Sequence, residues 1–302
     1  MLDTGGLIPT LNAANRHDLT DTQWDFLETL LPASSRYGRP RRYGLRDLIN
    51  GIRHRIRSGI PWRDVPDCYG PWWRIYALFR DWQLSGTWSQ IEAALQTRAD
   101  GQGKLGWDIS VDSTTSRAHI HAAGARRDSS ERLDGEPDNH ALGRSRGGFS
   151  TKIHLACDQH LQTVSFTLTA GQSGDSPQLI EVLERIRVAR PGPGRPRSLP
   201  DRVLADKAYS SQANRSYLRC RGITTTIPVK KDQVANRQAT GSAGGRPPAF
   251  DAEAYKARNV VERCFNALKH NRGVATRYDK LAVRFQAVVQ VANIDRWLKR
   301  LS

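Results

Sequence analysis

The sequence predicts a mixed α/β domain, in which helices flank a β-sheet, preceded by a small all-α domain. Three observations support this prediction. Apolar residues recur at helical spacing in the first third, strand-like alternation begins after a glycine-containing linker, and two long helical patterns close the chain. We place a tail at 1–18, the helical domain at 19–98 and the α/β domain at 107–302, with loops at 122–149 and 230–250.

The first domain is predicted to hold four short helices. Thr20 and Gln23 have the spacing of a capping box, which opens the first helix. The second spans 45–57, the third begins at or near Pro71, and Thr87 caps the fourth. Short helices joined by tight turns are typical of helix-turn-helix domains, in which the later helix enters the major groove of DNA.

Four arginines are the candidate DNA contacts of this domain. Arg74 and Arg80 lie on the third helix, whereas Arg41 and Arg42 lie in the basic linker before the second. The aromatic side chains of the third helix fit a buried core better than a DNA-reading surface.

The charge balance favours a polyanionic partner. The chain carries 46 Lys and Arg against 30 Asp and Glu, a formal charge of +16. Nine arginines and one acid lie between residues 36 and 63, whereas solvated helix faces usually alternate in sign. Basic side chains gain affinity for nucleic acid by releasing counterions from phosphates. No apolar run approaches the ~20 residues of a membrane span, and no signal-peptide pattern is present, so we expect a cytoplasmic protein without a membrane partner.

The α/β domain shows a defined order of strands and helices. The predicted strands cover 108–112, 151–158, 163–171, 202–206 and 222–229, and the helices cover 176–187, 210–220, 251–271 and 280–301. The first three strands would be antiparallel neighbours, and the later ones would need crossover helices, which gives a mixed sheet. This is the element order of an RNase H-like domain.

Two aspartates follow predicted strands of this sheet. Asp112 comes late in the first strand, and Asp206 ends the strand that begins at Arg202. If those strands are neighbours, both carboxylates emerge close together. Carboxylate clusters suit phosphodiester chemistry, because two Mg²⁺ ions roughly 4 Å apart stabilise the attacking and leaving oxygens. A third carboxylate could come from a helix packed across the sheet.

The helix predicted at 251–271 carries four polar residues at helical spacing. Tyr255, Arg258, Glu262 and Lys269 are separated by three, four and seven residues, which places them on one stripe. Taken alone, this stripe fits a solvated face in which Arg258 pairs with Glu262.

The same four residues carry a resemblance to a known family. Tyr, two residues, Arg, three residues, Glu, six residues and Lys is the signature of the DDE transposases of the IS four/five superfamily. The segments WDISVDSTTSRAHIHAAGARR and LADKAYSS resemble the regions around that group's first and second aspartates. The segments LTDTQWDFLETLLP and IRSGIPWRDVP resemble the helical domain that precedes the core in IS-five-type proteins. The resemblance covers roughly 19–300.

The resemblance implies a catalytic and metal-binding triad of Asp112, Asp206 and Glu262, with Mg²⁺ as the metal and Mn²⁺ as a substitute. Tyr255, Arg258 and Lys269 would contact DNA near the scissile strand. The implied reaction is hydrolysis at insertion-sequence ends followed by attack of the freed 3′-hydroxyl on target DNA. The implied partners are double-stranded DNA, as terminal inverted repeats and target, and a second copy of the chain, in a dimer assembled on DNA. The implied location is the bacterial nucleoid.

Two other functions are compatible with the pattern. The first is a catalytically silent, sequence-specific DNA-binding protein descended from a transposase, although three acids beside phosphates would give such a protein no advantage. The second is a metal-dependent nuclease that lacks strand transfer.

Other candidate residues fit less well. Asp108 shares the strand face of Asp112 and is the rival first ligand. His119 and His121 have ligand-like spacing but lack a clustered third histidine or cysteine. The GRSRGG segment follows a loop rather than a strand, which argues against a nucleotide site. Asp175 fits a helix cap, and the four cysteines lie far apart, as inert thiols do.

Overall fold

A computed structural model describes residues 17–32, 42–124 and 136–302. Its helices are α1 (Asp21–Glu28), α2 (Leu45–Ser58), α3 (Trp72–Leu84), α4 (Thr87–Gly101), α5 (Ile120–Ala123), α6 (Gln178–Glu184), α7 (Gln212–Cys220), α8 (Lys231–Ala239), α9 (Ala252–Lys256), α10 (Val260–Lys269), α11 (Arg272–Ala275) and α12 (Ala282–Leu301). Its strands are β1 (Asp108–Ala118), β2 (Gly143–Ser145), β3 (Gly148–Cys157), β4 (Thr163–Ala170), β5 (Arg202–Ala205), β6 (Thr224–Thr226) and β7 (Thr276–Arg277). Within these ranges every helix is too short or too polar to cross a bilayer.

The central sheet has the predicted RNase H-like topology. Its five main strands lie in the order β4-β3-β1-β5-β6. β3 runs antiparallel to both of its neighbours, β4 and β1, and β5 and β6 run parallel to β1. The predicted hairpin is present as β3 and β4, with Cys157 opposite Thr163. The short β2 and β7 pair with β3 and β1.

Helices cover the sheet closely enough to bury its central strand on both faces. Ile109, Ser110 and Val111 are successive residues of β1, and each is 0% exposed. Because successive side chains point to opposite faces, both faces of the sheet are covered. α10 packs on β1 and β3, α6 on β3 and β4, and α12 on β4.

The N-terminal helices form one core with the α/β region. α4 and α2 pack against α12. Arg53 of α2 bonds Asp295 of α12 at 2.6 Å, and Arg55 pairs with Asp279 at 3.3 Å. Both guanidinium groups are therefore committed to internal ion pairs. The basic run predicted at 36–63 is only partly a DNA-facing surface.

The predicted capping box opens α1 and a glycine ends α2, whereas Thr87 is the first residue of α4 rather than its cap, because Gly86 is the N-cap residue. Thr20 and Gln23 make both hydrogen bonds of a capping box before α1. Gly59 ends α2 in the left-handed conformation, with φ of +70°.

Some predicted boundaries were wrong. α4 continues through Gly101, beyond the helical domain predicted to end at residue 98, because Ala99 is buried in the core. The loop predicted at 230–250 contains α8, six of whose nine residues are good helix formers; the glycines and prolines follow it. The loop predicted at 122–149 contains β2 and the start of β3. The long helix predicted at 251–271 is divided by a 3₁₀ turn at Ala257–Asn259.

Candidate active site

The two predicted aspartates lie at the same edge of the sheet. Val111 of β1 is in register with Ala205 of β5 in a parallel pair. Asp112 and Asp206 directly follow these two residues in sequence. Asp112 Oδ1 accepts a hydrogen bond from Ser113 N at 2.8 Å, and Asp206 Oδ1 accepts one from Ala208 N at 2.7 Å. Burial raises the pKa of Asp112, and the charge of Asp206 adds to that effect.

Arg258 connects the first aspartate to the predicted glutamate. Its Nη2 donates to Asp112 Oδ2 at 2.5 Å, and its Nη1 donates to Glu262 Oε1 at 2.9 Å. Burial opposes the charge of Arg258, but the carboxylates of Asp112 and Glu262 raise its pKa overall. Within the stripe predicted from sequence, Arg258 faces the sheet edge and its side chain is only 16% exposed, whereas the side chain of Glu262 is 51% exposed.

Asp175 lies behind this edge and was not predicted as part of the site. Its Oδ1 accepts hydrogen bonds from Ser113 Oγ at 2.7 Å and from Lys152 Nζ at 2.8 Å. Burial works against the charge, but these hydrogen bonds outweigh it and lower the pKa of Asp175. The residue was predicted to cap a helix, whereas Pro177 is the N-cap of α6 and Asp175 fixes the residue that follows Asp112.

Two buried rings complete the surroundings. Burial lowers the pKa of His154 to about 4, so this imidazole is neutral near pH 7. Its Nε2 and Thr169 Oγ1 share a hydrogen bond of 2.7 Å. Burial and the charges of three nearby aspartates raise the pKa of Tyr209, so its phenol stays protonated. Tyr209 adjoins the second motif, LADKAYSS, but only the fold brings it beside Asp112.

Tyr255 and Lys269 lie at the two ends of the same segment. The Tyr255 ring lies 5.3 Å from that of Phe250, and burial raises the pKa of its phenol. Lys269 Nζ donates to Thr115 O of β1 at 2.9 Å, and burial lowers its pKa. Both residues flank the carboxylates, one before α10 and one at its last residue.

The weaker candidates lie elsewhere. Asp108 begins β1, and its Oδ2 lies 3.8 Å from Arg202 Nε. The rings of His119 and His121 are tilted against each other, with centroids 4.7 Å apart. The GRSRGG segment forms the β2–β3 hairpin, where Ser145 pairs with Gly148, rather than a phosphate loop.

The arginines predicted to contact DNA in the front region are exposed where the structure describes them. Arg74 stacks over Trp73 at 4.5 Å, Arg42 lies over Tyr43 at 5.7 Å, and Arg80 is exposed. Arg41 lies outside the described residues. The aromatic core prediction holds for Phe79, which is fully buried, but not for Trp72, which is 36% exposed.

The donor set fits a hard divalent cation. Asp112, Asp206 and Glu262 offer only carboxylate oxygens, the ligands that Mg²⁺ and Mn²⁺ prefer. Across the described ranges no three Asp, Glu, His or Cys side chains stand close enough to hold an ion without rearrangement. At this edge the balancing positive charge comes from Arg258, which bonds two of the three acids.

Family models match both regions of the chain. A model described as "Transposase DDE domain" matches residues 104–292, which is more than half of the chain. The chain belongs to the DDE transposase family. A second model, described as "Putative transposase of IS4/5 family", matches residues 19–92 of this transposase.

Relatives agree with this assignment. The transposase is 27% identical over 150 residues to a putative transposase for insertion sequence element IS6501 of Brucella ovis, covering 50% of this chain and 99% of that protein. It is 30% identical over 139 residues to a putative transposase for element IS402 of Burkholderia cepacia, covering 46% of this chain and 57% of that protein. It is 34% identical over 109 residues to the uncharacterized protein y4sN of Sinorhizobium fredii, covering 36% of this chain and 83% of that protein.

Among solved structures, the chain shows only a weak similarity to a transposase complex. The crystal structure of a pre-cleavage Mos1 transpososome aligns at a TM-score of 0.24 and 13% identity, covering 89% of this chain and 81% of that one.

The family membership establishes a DNA transposase, an enzyme that combines nuclease and strand-transfer activity and depends on divalent metal. It does not favour the silent DNA-binding protein.

Proposed function

We propose that the chain is an IS-five-type transposase in which Asp112, Asp206 and Glu262 hold Mg²⁺, with Mn²⁺ as a substitute. One observation carries the assignment of these residues. Asp112 and Asp206 follow the last paired residues of adjacent parallel strands, and Arg258 joins Asp112 to Glu262. The three motifs that resemble the family thereby meet at one edge of the sheet.

When bound, a pair of divalent ions polarises the phosphodiester and stabilises the attacking and leaving oxygens. Asp112 is preorganised by its bond from Ser113 N, which Asp175 supports from behind through Ser113 Oγ. Asp206 is held by Ala208 N. These bonds fix carboxylate orientation before substrate arrives, which lowers the reorganisation required during reaction.

Arg258 exchanges partners in this mechanism. In the described structure its guanidinium neutralises Asp112 and Glu262, and its raised pKa keeps it charged. Divalent ions held by these carboxylates would supply the same neutralisation, and the Arg258 guanidinium would then be free to donate two parallel hydrogen bonds to a DNA phosphate. Lys269, at the end of α10, and Tyr255, before it, are placed to contact the same strand.

We assign the helical region, residues 19–98, to recognition of the terminal inverted repeats, and 107–302 to catalysis on those ends and on target DNA. Arg41, Arg42, Arg74 and Arg80 are the proposed contacts of the front domain. The active assembly is a dimer of the chain on DNA at the bacterial nucleoid.

Labelled element-end DNA tests this proposal. Purified protein with Mg²⁺ should produce both cleaved ends and joined products, and EDTA should abolish both. Replacing Arg74 and Arg80 by Ala should weaken end binding by about 1–3 kcal/mol for each base-reading arginine lost, while Arg187→Ala, an exposed control, should not. Cleavage without joining would identify a simple nuclease, and binding without cleavage would identify a silent DNA-binding protein.

A further inference from the structure

A basic groove lies at the junction of the front helices with the catalytic region. It encloses a cavity of about 550 Å³ whose lining includes Arg53, Arg57, Arg296, Lys299 and Arg300. Among the residues that the structure describes, two acids, Asp18 and Asp295, line the same cavity. None of these residues belongs to the proposed catalytic site or to the four arginines proposed as DNA contacts of the front domain, although Arg53 and Arg57 lie in the basic run at 36–63.

The groove continues past this cavity. A neighbouring depression of about 440 Å³ shares His17, Arg57 and His270 with it, and adds Arg272. We call the two together the basic groove, and their basic side chains come mainly from α2, α11 and α12, with His270 at the end of α10. Several separate segments therefore contribute positive charge to one continuous depression.

Some of these cations are already used in holding the fold. Arg53 bonds Asp295 at 2.6 Å, Arg296 donates to Leu161 O, and Arg300 donates to Lys104 O at 3.4 Å. By contrast, no described residue forms a hydrogen bond or ion pair with the side chains of Arg57, Arg272 or Lys299. Three basic side chains are thus free to meet an external anion.

The lining favours a sugar-phosphate backbone over a small nucleotide. Apolar side chains in the main cavity are few, chiefly Leu161, Ala267 and Ala292. A free nucleotide would need an apolar slot for its base, whereas a DNA backbone needs only spaced cations along an open track. The groove supplies such cations at several points, and its described lining contains no Phe, Tyr or Trp side chain.

The groove is close to the catalytic site yet separate from it. Glu262 lies in the first turn of α10, and His270, which lines the groove, is the C-cap residue of the same helix. Eight residues of helix correspond to about 12 Å along its axis. DNA held in the groove would therefore pass near the reacting strand without occupying the carboxylates.

We propose that the basic groove binds the phosphate backbone of a stretch of duplex DNA outside the catalytic site, through Arg57, Arg272 and Lys299. The proposal rests on the action of the chain on DNA, and it adds a second contact track to that function. It does not depend on which acids carry the metal.

Salt dependence of binding to random-sequence duplex DNA, measured in EDTA, tests the groove without involving catalysis. Each lost phosphate contact lowers the slope of log affinity against log salt by about 0.9. The variant Arg57→Gln/Arg272→Gln/Lys299→Gln should therefore lose about 2.7 from the slope. Between 50 and 200 mM salt, the factor by which affinity decreases should therefore be about 40 times smaller for this variant than for the wild type.

A matched variant controls for net charge. Arg187→Gln/Arg190→Gln/Arg219→Gln removes three exposed arginines that line neither depression and should leave the slope unchanged. If the groove variant melts early, Lys299→Gln alone should lower the slope by about 0.9, since this side chain is exposed. Equal slopes for wild type and groove variants, or an equal loss in the control, would overturn the proposal. Groove-dependent binding of polyglutamate with unaltered DNA binding would point instead to an acidic protein.

Discussion

Replacing Glu262 by Gln should lower Mg²⁺-dependent cleavage of element-end DNA by a factor of roughly 100 to 1,000, the usual cost of removing one electrostatic group from a catalytic site. Gln keeps the shape of Glu262 but loses one metal-binding charge. Affinity for DNA without metal should hold or rise, because a negative charge near the phosphates has been removed. Single-turnover cleavage and metal-free binding, measured on the same DNA, give the two values.

Glu253→Gln is the matched control for this experiment. Glu253 is also exposed and lies in α9 shortly before the site, and within the described part of the chain its side chain pairs only with Lys256, at 2.8 Å. It should cleave at the wild-type rate. Wild-type cleavage by Glu262→Gln would remove Glu262 from the site and leave it as a solvated partner of Arg258. A silent DNA-binding protein would show no cleavage to lose in either variant.

Replacing Glu92 by Gln should stabilise the protein at neutral pH. Glu92 of α4 is buried against α12, where its Oε1 accepts a hydrogen bond from Asn293 Nδ2 at 3.0 Å. Burial raises the pKa of Glu92 from 4.5 to about 8. Asn293 Oδ1 is buried without a donor, so a Gln amide at position 92 could donate to it after a side-chain rotation.

The pH dependence has a defined sign. Because the folded-state pKa is raised, the contribution of Glu92 to stability is complete below about pH 4.5 and is lost as pH rises towards 8. At 1.36 kcal/mol per pKa unit, the wild type should lose about 3 kcal/mol relative to Glu92→Gln between pH 5 and pH 7.5.

Urea unfolding of both proteins across this range measures the difference. Comparing the two proteins cancels the other titrating groups, such as His154, whose lowered pKa acts in the opposite direction with pH. Glu184→Gln, an exposed substitution on α6, should show no such pH-dependent gain. A constant difference between wild type and Glu92→Gln from pH 5 to 7.5 would contradict the account of this interface.

The sheet could be predicted because its signals are local. Alternating residues define β3 and β4, and the short segment after Gln159 closes their hairpin. The 231–239 helix was missed because the glycines and prolines that follow it dominated the composition of the segment. A contact between residues distant in sequence holds this helix in place, because Gln233 Nε2 donates a hydrogen bond to Ser210 O at 2.7 Å. No local pattern contains that contact.

The candidate site could be predicted only as far as its motifs extend. Asp112, Asp206 and Glu262 lie in segments that resemble family motifs, so the sequence alone was enough to name them as candidates. Asp175 and Lys152 join the site only because β1 pairs with β3 and places Lys152 opposite Thr115. That register is set by long-range strand pairing, which no local sequence pattern specifies. The same limit explains Arg53 and Arg55 of α2, which look like a DNA-binding run in sequence but are paired internally with Asp295 and Asp279 in the fold.

Anomalous diffraction from crystals of the protein with Mn²⁺ and element-end DNA tests the central claim most directly. We expect manganese peaks about 2.0–2.2 Å from carboxylate oxygens of Asp112, Asp206 and Glu262, a range based on oxygen ligands of small divalent cations. The Arg258 guanidinium should have left Asp112 for a DNA phosphate. Peaks at Asp108 or between His119 and His121, with Arg258 still bonded to Asp112, would contradict the assignment.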